Sequence, residues 1–340
     1  MEPKTIDGAP QAARWHRAEP RRDLPWSALE RMVSRALPQA RLLAVEPLTG
    51  GLRNANFRLR VDSTDRLLML RVYEHDASLC RKEIDLMRRI AGAVPVPEVI
   101  HAAPGGLDEI PPFTISNFVE GITFHELRRG GDREAIAQAA ASVGEVLAAI
   151  GQFRFARPGW LGPGPEVTGP LLEGADPMPR FLDLCLASAN LQRRMDDELR
   201  QRIHLFAWTH APVFAKLDRE SHLVHGDFNR RNLVVRAGSA GWRVAAVLDW
   251  EFAVSGTPLA DLGSFLRYER AARPLLEPHV SQGYLRAGGE LPVDWRRRAR
   301  LIDLLAVCES LTHEELPDTA ALELVELTRA TVDDRDPELA

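Results

Sequence analysis

The hydrophobic pattern of this chain changes near residue 120, and that change constrains the fold more than any other feature. Between Arg41 and Phe118 most apolar residues alternate with polar ones, as in Phe57-Arg-Leu-Arg-Val61, which predicts strands. Within this region Ala77 to Ala91 has apolar residues at three- and four-residue steps and predicts one packed helix. After Glu120-Gly121 helical spacing dominates. We therefore expect an α+β protein with a small antiparallel β lobe and a larger, mainly helical lobe.

Four segments are expected along the chain. Residues 1–25 carry four prolines among charged residues without periodicity, which predicts a loosely ordered N-terminal extension. Residues 26–120 are expected to form the β-rich lobe, and residues 121–332 the helical lobe, with short strands between Leu223 and Asp249. Residues 333–340 are expected to form an acidic tail. Gly121 is the expected hinge between the lobes.

Composition narrows the range of functions. The 340 residues are 45% hydrophobic and 27% charged with a net charge of -5, which is typical of a globular protein and argues against a nucleic-acid partner. The three cysteines form no CxxC pattern, so neither a disulfide framework nor a zinc site is expected. There is no run of 18 apolar residues, so we expect no membrane association and a cytoplasmic location.

The strongest motif is His225-Gly-Asp-Phe-Asn-Arg-Arg-Asn232, a polar segment between two short apolar pieces. Such a segment is a rigid loop when two strands hold it. Phosphoryl transfer from ATP needs a carboxylate that orients the attacking hydroxyl or accepts its proton, and a carbonyl oxygen that holds magnesium. Asp227 and Asn232 have these chemistries. His225 is expected to be a structural member of the loop.

A second motif, Val247-Leu-Asp-Trp-Glu251, ends the apolar run that starts at Arg243. Asp249 stands at the strand end, where a carboxylate can reach a hard cation such as Mg²⁺. An isolated aspartate in this position is usually a turn cap. Its place after the first motif favours the metal-binding interpretation.

The β-rich region adds a candidate phosphate loop. Gly50 and Gly51 lie between predicted strands with Asn54 and Asn56 just after them, so backbone amides there can approach a phosphate closely. Glycine pairs of this kind are more often plain turns.

Glu83 lies within the apolar stripe of the predicted helix, and a carboxylate there needs a cation to offset its desolvation. Arg71, on the preceding strand, is the natural candidate. A purely structural salt bridge is the alternative interpretation.

The two motifs resemble the catalytic and metal-binding motifs of the aminoglycoside phosphotransferase family, which is related to the protein kinases. The resemblance extends over about Leu43 to Tyr268 and includes Asp261, which commonly braces the catalytic loop in that family. It implies a protein-kinase-like two-lobed fold, with Asp227 as the catalytic residue and Asn232 and Asp249 as magnesium ligands.

The resemblance also implies a nucleotide site. It assigns Arg71 and Glu83 to the ion pair that positions the ATP α- and β-phosphates, although a lysine normally stands at the arginine position. It places the adenine against backbone groups of Asn117, Phe118 and Val119. Because backbone recognition leaves little side-chain signature, ATP is expected while GTP is not excluded.

The acceptor is less constrained. Only eleven residues separate Asp249 from Asp261, too few for a protein-kinase activation segment, so a small hydroxylated molecule is favoured. The acidic helical end, including Glu309, Glu314 and Glu323, is suited to a cationic acceptor such as an aminoglycoside, although charge runs are usually solvated faces. Choline-, homoserine- or sugar-kinase-like activity and a non-catalytic nucleotide-binding module are the open alternatives. The sequence leaves the oligomeric state open.

Overall fold

The computed structural model describes residues 24–48, 54–74, 76–269 and 273–333. Their contacts divide the chain into two compact units. The first unit contains the described residues through Gly121 together with Pro163–Pro165 and Ala245–Phe252, and the second contains the rest. The segment Ala245–Phe252, which includes Asp249, therefore packs with the β-rich unit, although residues 121–332 were expected to form the helical lobe.

The first unit is built on a five-stranded antiparallel sheet in the order β1-β2-β3-β5-β4. The strands are β1 (Leu42–Pro47), β2 (Ala55–Val61), β3 (Thr64–Val72), β4 (Val99–Ala103) and β5 (Phe113–Asn117). In β2, the side chains of Phe57, Leu59 and Val61 are buried while Arg60 is exposed, so the alternation in the sequence correctly predicts the buried face. The central strand β3 carries Arg71, whose register partners are Asn56 on β2 and Thr114 on β5.

Two helices accompany this sheet. The expected helix is α2 (Ala77–Ile90), which starts where Asp76 accepts a hydrogen bond from the Ser78 backbone N–H at 2.9 Å. A second helix, α1 (Trp26–Ala36), buries Met32 and Val33 in the core formed by the sheet. Helix α1 therefore belongs to the core of the first unit.

The second unit is mainly helical. Its helices are α3 (Phe124–Gly130), α4 (Arg133–Gly151), α5 (Pro177–Ala187), α6 (Ala189–Arg194), α7 (Asp197–Thr209), α8 (Ala211–Leu217), α9 (Leu259–Leu266), α10 (Glu277–Arg286), α11 (Trp295–Thr312) and α12 (Asp318–Val332). Its strands are β6 (Ile122–Thr123), β7 (Gly159–Leu161), β8 (Val167–Gly169), β9 (His222–Val224), β10 (Leu233–Gly238) and β12 (Val254–Gly256); β11 (Gly241–Val247) starts in this unit and ends in the first.

Short sheets position the loop between β9 and β10. One sheet has the order β8-β7-β12-β9 and the other the order β11-β10-β6. The loop from His225 to Asn232 is consequently fixed at each end by a different sheet. This arrangement follows the sequence pattern, in which apolar pieces flank a polar segment.

Helix α4 is the central helix of the second unit and packs closely on α10. A Cβ added at Gly144 would lie 2.0 Å from the Val280 carbonyl oxygen, and one added at Gly283 would lie 1.9 Å from the Ala141 carbonyl oxygen. Only glycine permits this backbone approach. By length and composition α4 is apolar enough to cross a membrane, but 61% of the relevant window is buried inside the protein, as in a core helix.

Candidate active site

The segment His225–Asn232 of the second unit is called the catalytic loop after its predicted role, and its central carboxylate belongs to Asp227. The Asn232 side-chain amide donates hydrogen bonds to the Asp227 backbone oxygen at 2.9 Å and to its carboxylate Oδ2 at 3.1 Å. The Asn229 amide donates to the same backbone oxygen at 3.2 Å. Two asparagines of the motif thus hold the aspartate in a defined orientation within its own loop.

Asp261, near the start of α9, supports this loop through hydrogen bonds to its backbone. Its carboxylate accepts hydrogen bonds from the backbone N–H groups of His225 at 2.7 Å and Gly226 at 3.1 Å. Gly226 has a φ of 79°, a conformation that favours glycine. The His225 ring is buried, and its Nδ1 accepts from the Asp227 backbone N–H at 3.2 Å. His225 is therefore engaged in the loop structure.

Burial dominates the titration of Asp261. Desolvation raises the pKa of this carboxyl to about 6, against the lowering effect of the nearby His225 and of the two backbone hydrogen bonds. The Asp261 side chain is buried, with 2% of the residue exposed, and it accepts two backbone hydrogen bonds from the catalytic loop. Its ionisation is therefore coupled to the conformation of that loop.

The first unit contains the second predicted group of residues, centred on Arg71. The guanidinium Nε lies 3.3 Å from Glu83 Oε2, so the expected Arg71–Glu83 pair is present. The Nη2 atom lies 2.6 Å from Asp249 Oδ1 and 3.4 Å from Glu251 Oε2. One arginine therefore contacts three carboxylates. Burial alone would lower the pKa of Arg71, but these acidic neighbours raise it well above its usual value.

Glu83 connects α2 to the end of β11. In addition to Arg71, its carboxylate accepts hydrogen bonds from the Tyr73 hydroxyl and, at 3.1 Å, from the Trp250 backbone N–H. Burial, followed by the charge of Glu83, raises the pKa of Tyr73 well above its usual value. The desolvation argument from the sequence thus correctly indicated that this carboxylate needs partners.

Asp249 follows β11 and adopts a φ of 69°, in the left-handed region. Aspartate tolerates this conformation better than most residues because its short side chain bonds locally. Its side chain is 31% exposed, whereas those of Glu83 and Glu251 are 3% exposed. Of the three carboxylates on Arg71, Asp249 is the one accessible to solvent.

The sequence reasoning missed Glu251 and Lys82 as parts of this cluster. The Lys82 ammonium donates to the Glu251 backbone oxygen at 2.8 Å, and burial lowers the pKa of Lys82 to about 8. One signal was available: Lys82 is one of three lysines in an arginine-rich chain, and it stands beside Glu83 in an apolar helix.

The predicted phosphate-loop residues differ in their surroundings. Gly50 and Gly51 lie outside the described residues. Asn54 is buried, and its amide donates to Glu251 Oε2 at 2.9 Å. Asn56 lies opposite Arg71, and its side-chain oxygen is buried without a hydrogen-bond partner among the described residues.

Two residues of the predicted adenine-binding stretch use their backbone N–H groups in hydrogen bonds to other backbone groups of the first unit. The Asn117 backbone N–H donates to the Glu98 oxygen at 3.0 Å, and the Phe118 N–H donates to the Leu67 oxygen at 2.9 Å. The Asn117 side chain also accepts from the Glu98 backbone N–H at 2.5 Å. These two N–H groups are therefore unavailable to a base, which leaves Val119 as the residue of this stretch to offer one.

A further charged pair in the second unit was not predicted. Arg267, just after α9, contacts Asp303 on α11 with Nη2–Oδ1 at 2.6 Å and Nε–Oδ2 at 2.9 Å. Burial would lower the pKa of Arg267, but Asp303, followed by Tyr268 and Asp227, raises it above its usual value. The bidentate contact commits this guanidinium to Asp303.

Comparison with known proteins decides the family. The sequence profile of the phosphotransferase enzyme family, APH, matches residues 44–301 of this chain. The chain belongs to this family. The predicted resemblance is thereby confirmed.

Solved structures confirm the kinase-like fold of this chain. The crystal structure of aminoglycoside phosphotransferase APH(4)-Ia has a TM-score of 0.65 and 20% sequence identity, with 92% of this chain and 100% of that chain covered. The GDP and kanamycin complex of APH(2")-IIIa has a TM-score of 0.63 and 16% identity, with 90% and 98% covered. These identities establish the fold and leave the acceptor open.

A curated relative from Homo sapiens, acyl-CoA dehydrogenase family member 11, is 37% identical over 75 residues. The match covers 22% of this chain and 9% of that protein. A relative with the same name from Gallus gallus is 51% identical over 45 residues, or 13% of this chain and 6% of that protein. The chain thus spans less than a tenth of the length of these relatives.

Proposed function

We propose that this protein transfers the γ-phosphate of Mg-ATP to a hydroxyl group of a small molecule. The observation that carries the proposal is the geometry of Asp227, whose carboxylate is oriented by the Asn232 amide in a loop braced by Asp261. Phosphoryl transfer depends mainly on positioning and electrostatics. A carboxylate held by a neutral amide keeps its capacity to accept a proton from an alcohol.

Asp227 is the residue that we assign to the acceptor hydroxyl, where its carboxylate orients the attacking oxygen and takes up the proton. Arg71 is assigned to the nucleotide phosphates, as its family position implies. The Arg71–Glu83 contact at 3.3 Å holds the guanidinium in place. Arginine can grip a phosphate bidentately, which a lysine cannot.

Each of the two predicted ligands offers an oxygen atom whose chemistry suits a magnesium ion. Asp249 offers a partly exposed carboxylate, and Asn232, whose amide nitrogen donates to Asp227, retains its side-chain oxygen as a ligand. Oxygen atoms of this kind are what Mg²⁺ prefers. Magnesium neutralises charge on the β- and γ-phosphates when it is bound.

ATP is the proposed donor, with GTP as the alternative to test. A structural neighbour of this protein was solved as a ternary complex with AMP-PNP and hygromycin B, and another with GDP and kanamycin. For this chain we propose a small hydroxylated acceptor. We also propose a cytoplasmic location and no nucleic-acid or membrane partner.

A coupled ADP-release assay tests the proposed function. Wild-type protein is incubated with Mg-ATP, or separately Mg-GTP, and with aminoglycosides, choline, homoserine, amino sugars and hydroxylated acids. We expect acceptor-dependent ADP release that EDTA abolishes. Turnover that persists undiminished in EDTA would contradict the metal assignment. Calorimetric binding of Mg-AMP-PNP without ADP release for any acceptor would instead support the non-catalytic alternative.

A further inference from the structure

Two arginines at the catalytic loop, Arg128 and Arg230, carry buried donor atoms that have no hydrogen-bond partner among the described residues. Arg230 lies within the loop, three residues after Asp227, and Arg128 lies on α3. Arg230 Nε and Nη2 and Arg128 Nη1 are buried and make no hydrogen bond to any residue that the structure describes. A guanidinium is always charged, so buried unpaired donors are costly. Unpaired donors of this kind indicate a missing acceptor group.

The two arginines are held close to each other by the backbone. The His125 N–H on α3 donates to the Arg230 backbone oxygen at 3.0 Å, and β6, which precedes α3, pairs with β10, which follows the loop. Arg128 Nη2 donates to the Pro274 oxygen at 3.2 Å, and the Arg230 guanidinium lies 5.9 Å from the centre of the buried Phe265 ring. Both side chains are therefore fixed rather than free in solvent.

Positive charge dominates this position. Burial, followed by the charge of Arg128, lowers the pKa of Arg230 to about 10, against the raising effects of Glu269 and Tyr268. The neighbouring His125 also has a lowered pKa, first through burial and then through Arg231, Arg129 and Arg230. Like charges at short range destabilise the empty site and favour binding of an anion.

Glu269 is the acidic group that faces the pair. Its Oε1 already accepts the backbone N–H groups of Leu276 and, at 3.0 Å, Glu277, and its Oε2 has no hydrogen-bond partner within the described part of the chain. No described contact within 4.0 Å joins this carboxylate to either arginine. One distant carboxylate cannot balance two guanidinium groups.

We propose that Arg128 and Arg230 bind a carboxylate or phosphate group of the acceptor. The inference deepens the proposed function and rests on it, because it assigns this cluster to the molecule whose hydroxyl meets Asp227. Arginine pairs bind such oxyanions through charge-assisted, often bidentate hydrogen bonds. The acceptor class is then an anionic hydroxylated molecule.

This assignment differs from the cationic acceptor that the acidic helical end suggested. Of those acidic residues, Glu314, Glu315, Glu323 and Glu326 are exposed, as expected of a solvated face. The arginine donors are buried, with Arg230 on the catalytic loop itself and Arg128 on α3. A polycationic acceptor next to Arg128 and Arg230 would meet repulsion.

Calorimetric titration with inorganic phosphate, at constant ionic strength set with chloride, tests the site directly. Saturating Mg-AMP-PNP is present throughout, so that phosphate cannot fill the nucleotide's own phosphate positions. We expect saturable binding to the wild type. Gluconate serves as the carboxylate probe and glucosamine as the cationic probe, and only the anions should bind.

Arg128→Gln and Arg230→Gln should each weaken phosphate binding about tenfold or more, since each removes charge-assisted hydrogen bonds. Arg236→Gln, a change of the same charge at an exposed position on β10, should leave binding unchanged. Arg230→Lys should restore part of the affinity by restoring the charge. If Arg230→Gln does not fold, the comparison of phosphate affinity between Arg128→Gln and Arg236→Gln still tests the proposed anion site.

Absence of saturable phosphate and gluconate binding to the wild type would overturn the proposal. Equal phosphate affinity in Arg128→Gln, Arg230→Gln and Arg236→Gln would overturn it too. Failure of the proposed function is a separate result, because it would show as absence of Mg-AMP-PNP binding in the same instrument. If Arg128→Gln left the kcat/KM of a carboxylate- or phosphate-bearing acceptor unchanged, the link to the acceptor would be wrong.

Discussion

The two aspartates that the sequence singled out lie in contrasting surroundings. Asp249 in the first unit contacts the Arg71 guanidinium at 2.6 Å and shares that cation with two buried glutamates. Asp227 in the second unit is oriented at 3.1 Å by the Asn232 amide, a neutral donor. The Arg71 contact places Asp249 in a cluster of buried charges, whereas the Asn232 contact orients Asp227 through a hydrogen bond within its own loop. The surroundings therefore suit Asp249 to a charge-binding role and Asp227 to proton transfer.

The same contrast holds for what supports each aspartate. The Arg71 cluster depends on several buried charges that offset one another, so removal of one leaves others unpaired. The catalytic loop depends on hydrogen bonds between Asp261 and two backbone N–H groups. We expect substitutions in the first unit to affect folding and binding together, and substitutions of Asp227 to affect chemistry alone.

Asp227→Asn should have the largest effect. We expect kcat to fall about 10²- to 10⁴-fold, because asparagine keeps the shape but cannot accept the hydroxyl proton. Mg-AMP-PNP affinity and Tm should stay near the wild-type values. Asp197→Asn, which removes a surface charge on α7, is the matched control. Equal kcat values for wild type and Asp227→Asn would show that this carboxylate is not the catalytic one.

Arg71→Ala should come next, since it leaves Glu83 and Glu251 buried without their cation. Removal of one partner from a buried charge cluster typically destabilises by about 3–5 kcal/mol. Urea denaturation should show this loss, and calorimetry should show weaker ATP binding in the folded fraction.

Arg71→Lys separates the two consequences by restoring the charge without the bidentate geometry. We expect it to recover much of the stability and only part of the ATP affinity. Unchanged ATP affinity in Arg71→Lys and Arg71→Ala, after correction for folded protein, would reduce Arg71 to a structural role.

Asp261→Asn tests the brace under the catalytic loop. The pKa of Asp261 is about 6 in the folded protein and about 3.9 in an unfolded chain. Its native state binds more protons between these values, so its contribution to stability falls as pH rises from about 4 to 6. The stability difference between wild type and Asp261→Asn, from denaturation at pH 4.5 and pH 7, should change with this sign.

A pH-independent stability difference between wild type and Asp261→Asn would contradict the raised pKa. The variant should also lose kcat at pH 7.5, because the asparagine amide cannot accept from both backbone N–H groups of the loop. Asp197→Asn, which removes an exposed carboxylate on α7, provides a comparison in the same unit outside the loop.

Lys82→Met should show the smallest effect, again through pH. The pKa of Lys82 is about 8 in the folded protein and about 10.4 unfolded, so the unfolded state binds more protons between these values. The contribution of Lys82 to stability therefore rises with pH across this interval, by on the order of 1 kcal/mol per unit at most.

The measured quantity for Lys82 is the difference between wild type and Lys82→Met, because the buried cysteine thiols lower the stability of both proteins at alkaline pH. The wild type should gain on the variant between about pH 8 and 10. Lys216→Met, on α8, is the control that should show no such trend. Parallel stability curves for wild type and Lys82→Met would contradict the lowered pKa.

The features of the fold that the sequence predicted correctly depend on local patterns of hydrophobic residues. The alternation from Phe57 to Val61 and the helical spacing from Ala77 to Ala91 correspond to β2 and α2 in the structure. Helix α4 begins right after Asp132, whose side chain accepts hydrogen bonds from the backbone N–H groups of Glu134 and Ala135. Periodicity and capping work because they depend on neighbours within a few residues.

Partners of buried charges were predicted less completely. The reasoning that Glu83 needs a cation led to Arg71, but it could not reveal that Asp249 and Glu251 share the same guanidinium. Arg71 and Asp249 are 178 residues apart in the chain. Desolvation shows that a charge needs a partner and does not identify which distant residue supplies it.

The sequence by itself determined the change from strands to helices near residue 120 and the family. It also indicated the contact between Asp227 and Asn232, because these residues lie five positions apart and their contact is local. Only the tertiary structure decided that Lys82 and Asn54 attach to Glu251, and that Arg128 and Arg230 lie together without partners among the described residues. These contacts join segments far apart in the chain. Their formation depends on how the elements of each unit pack, which no short-range pattern encodes.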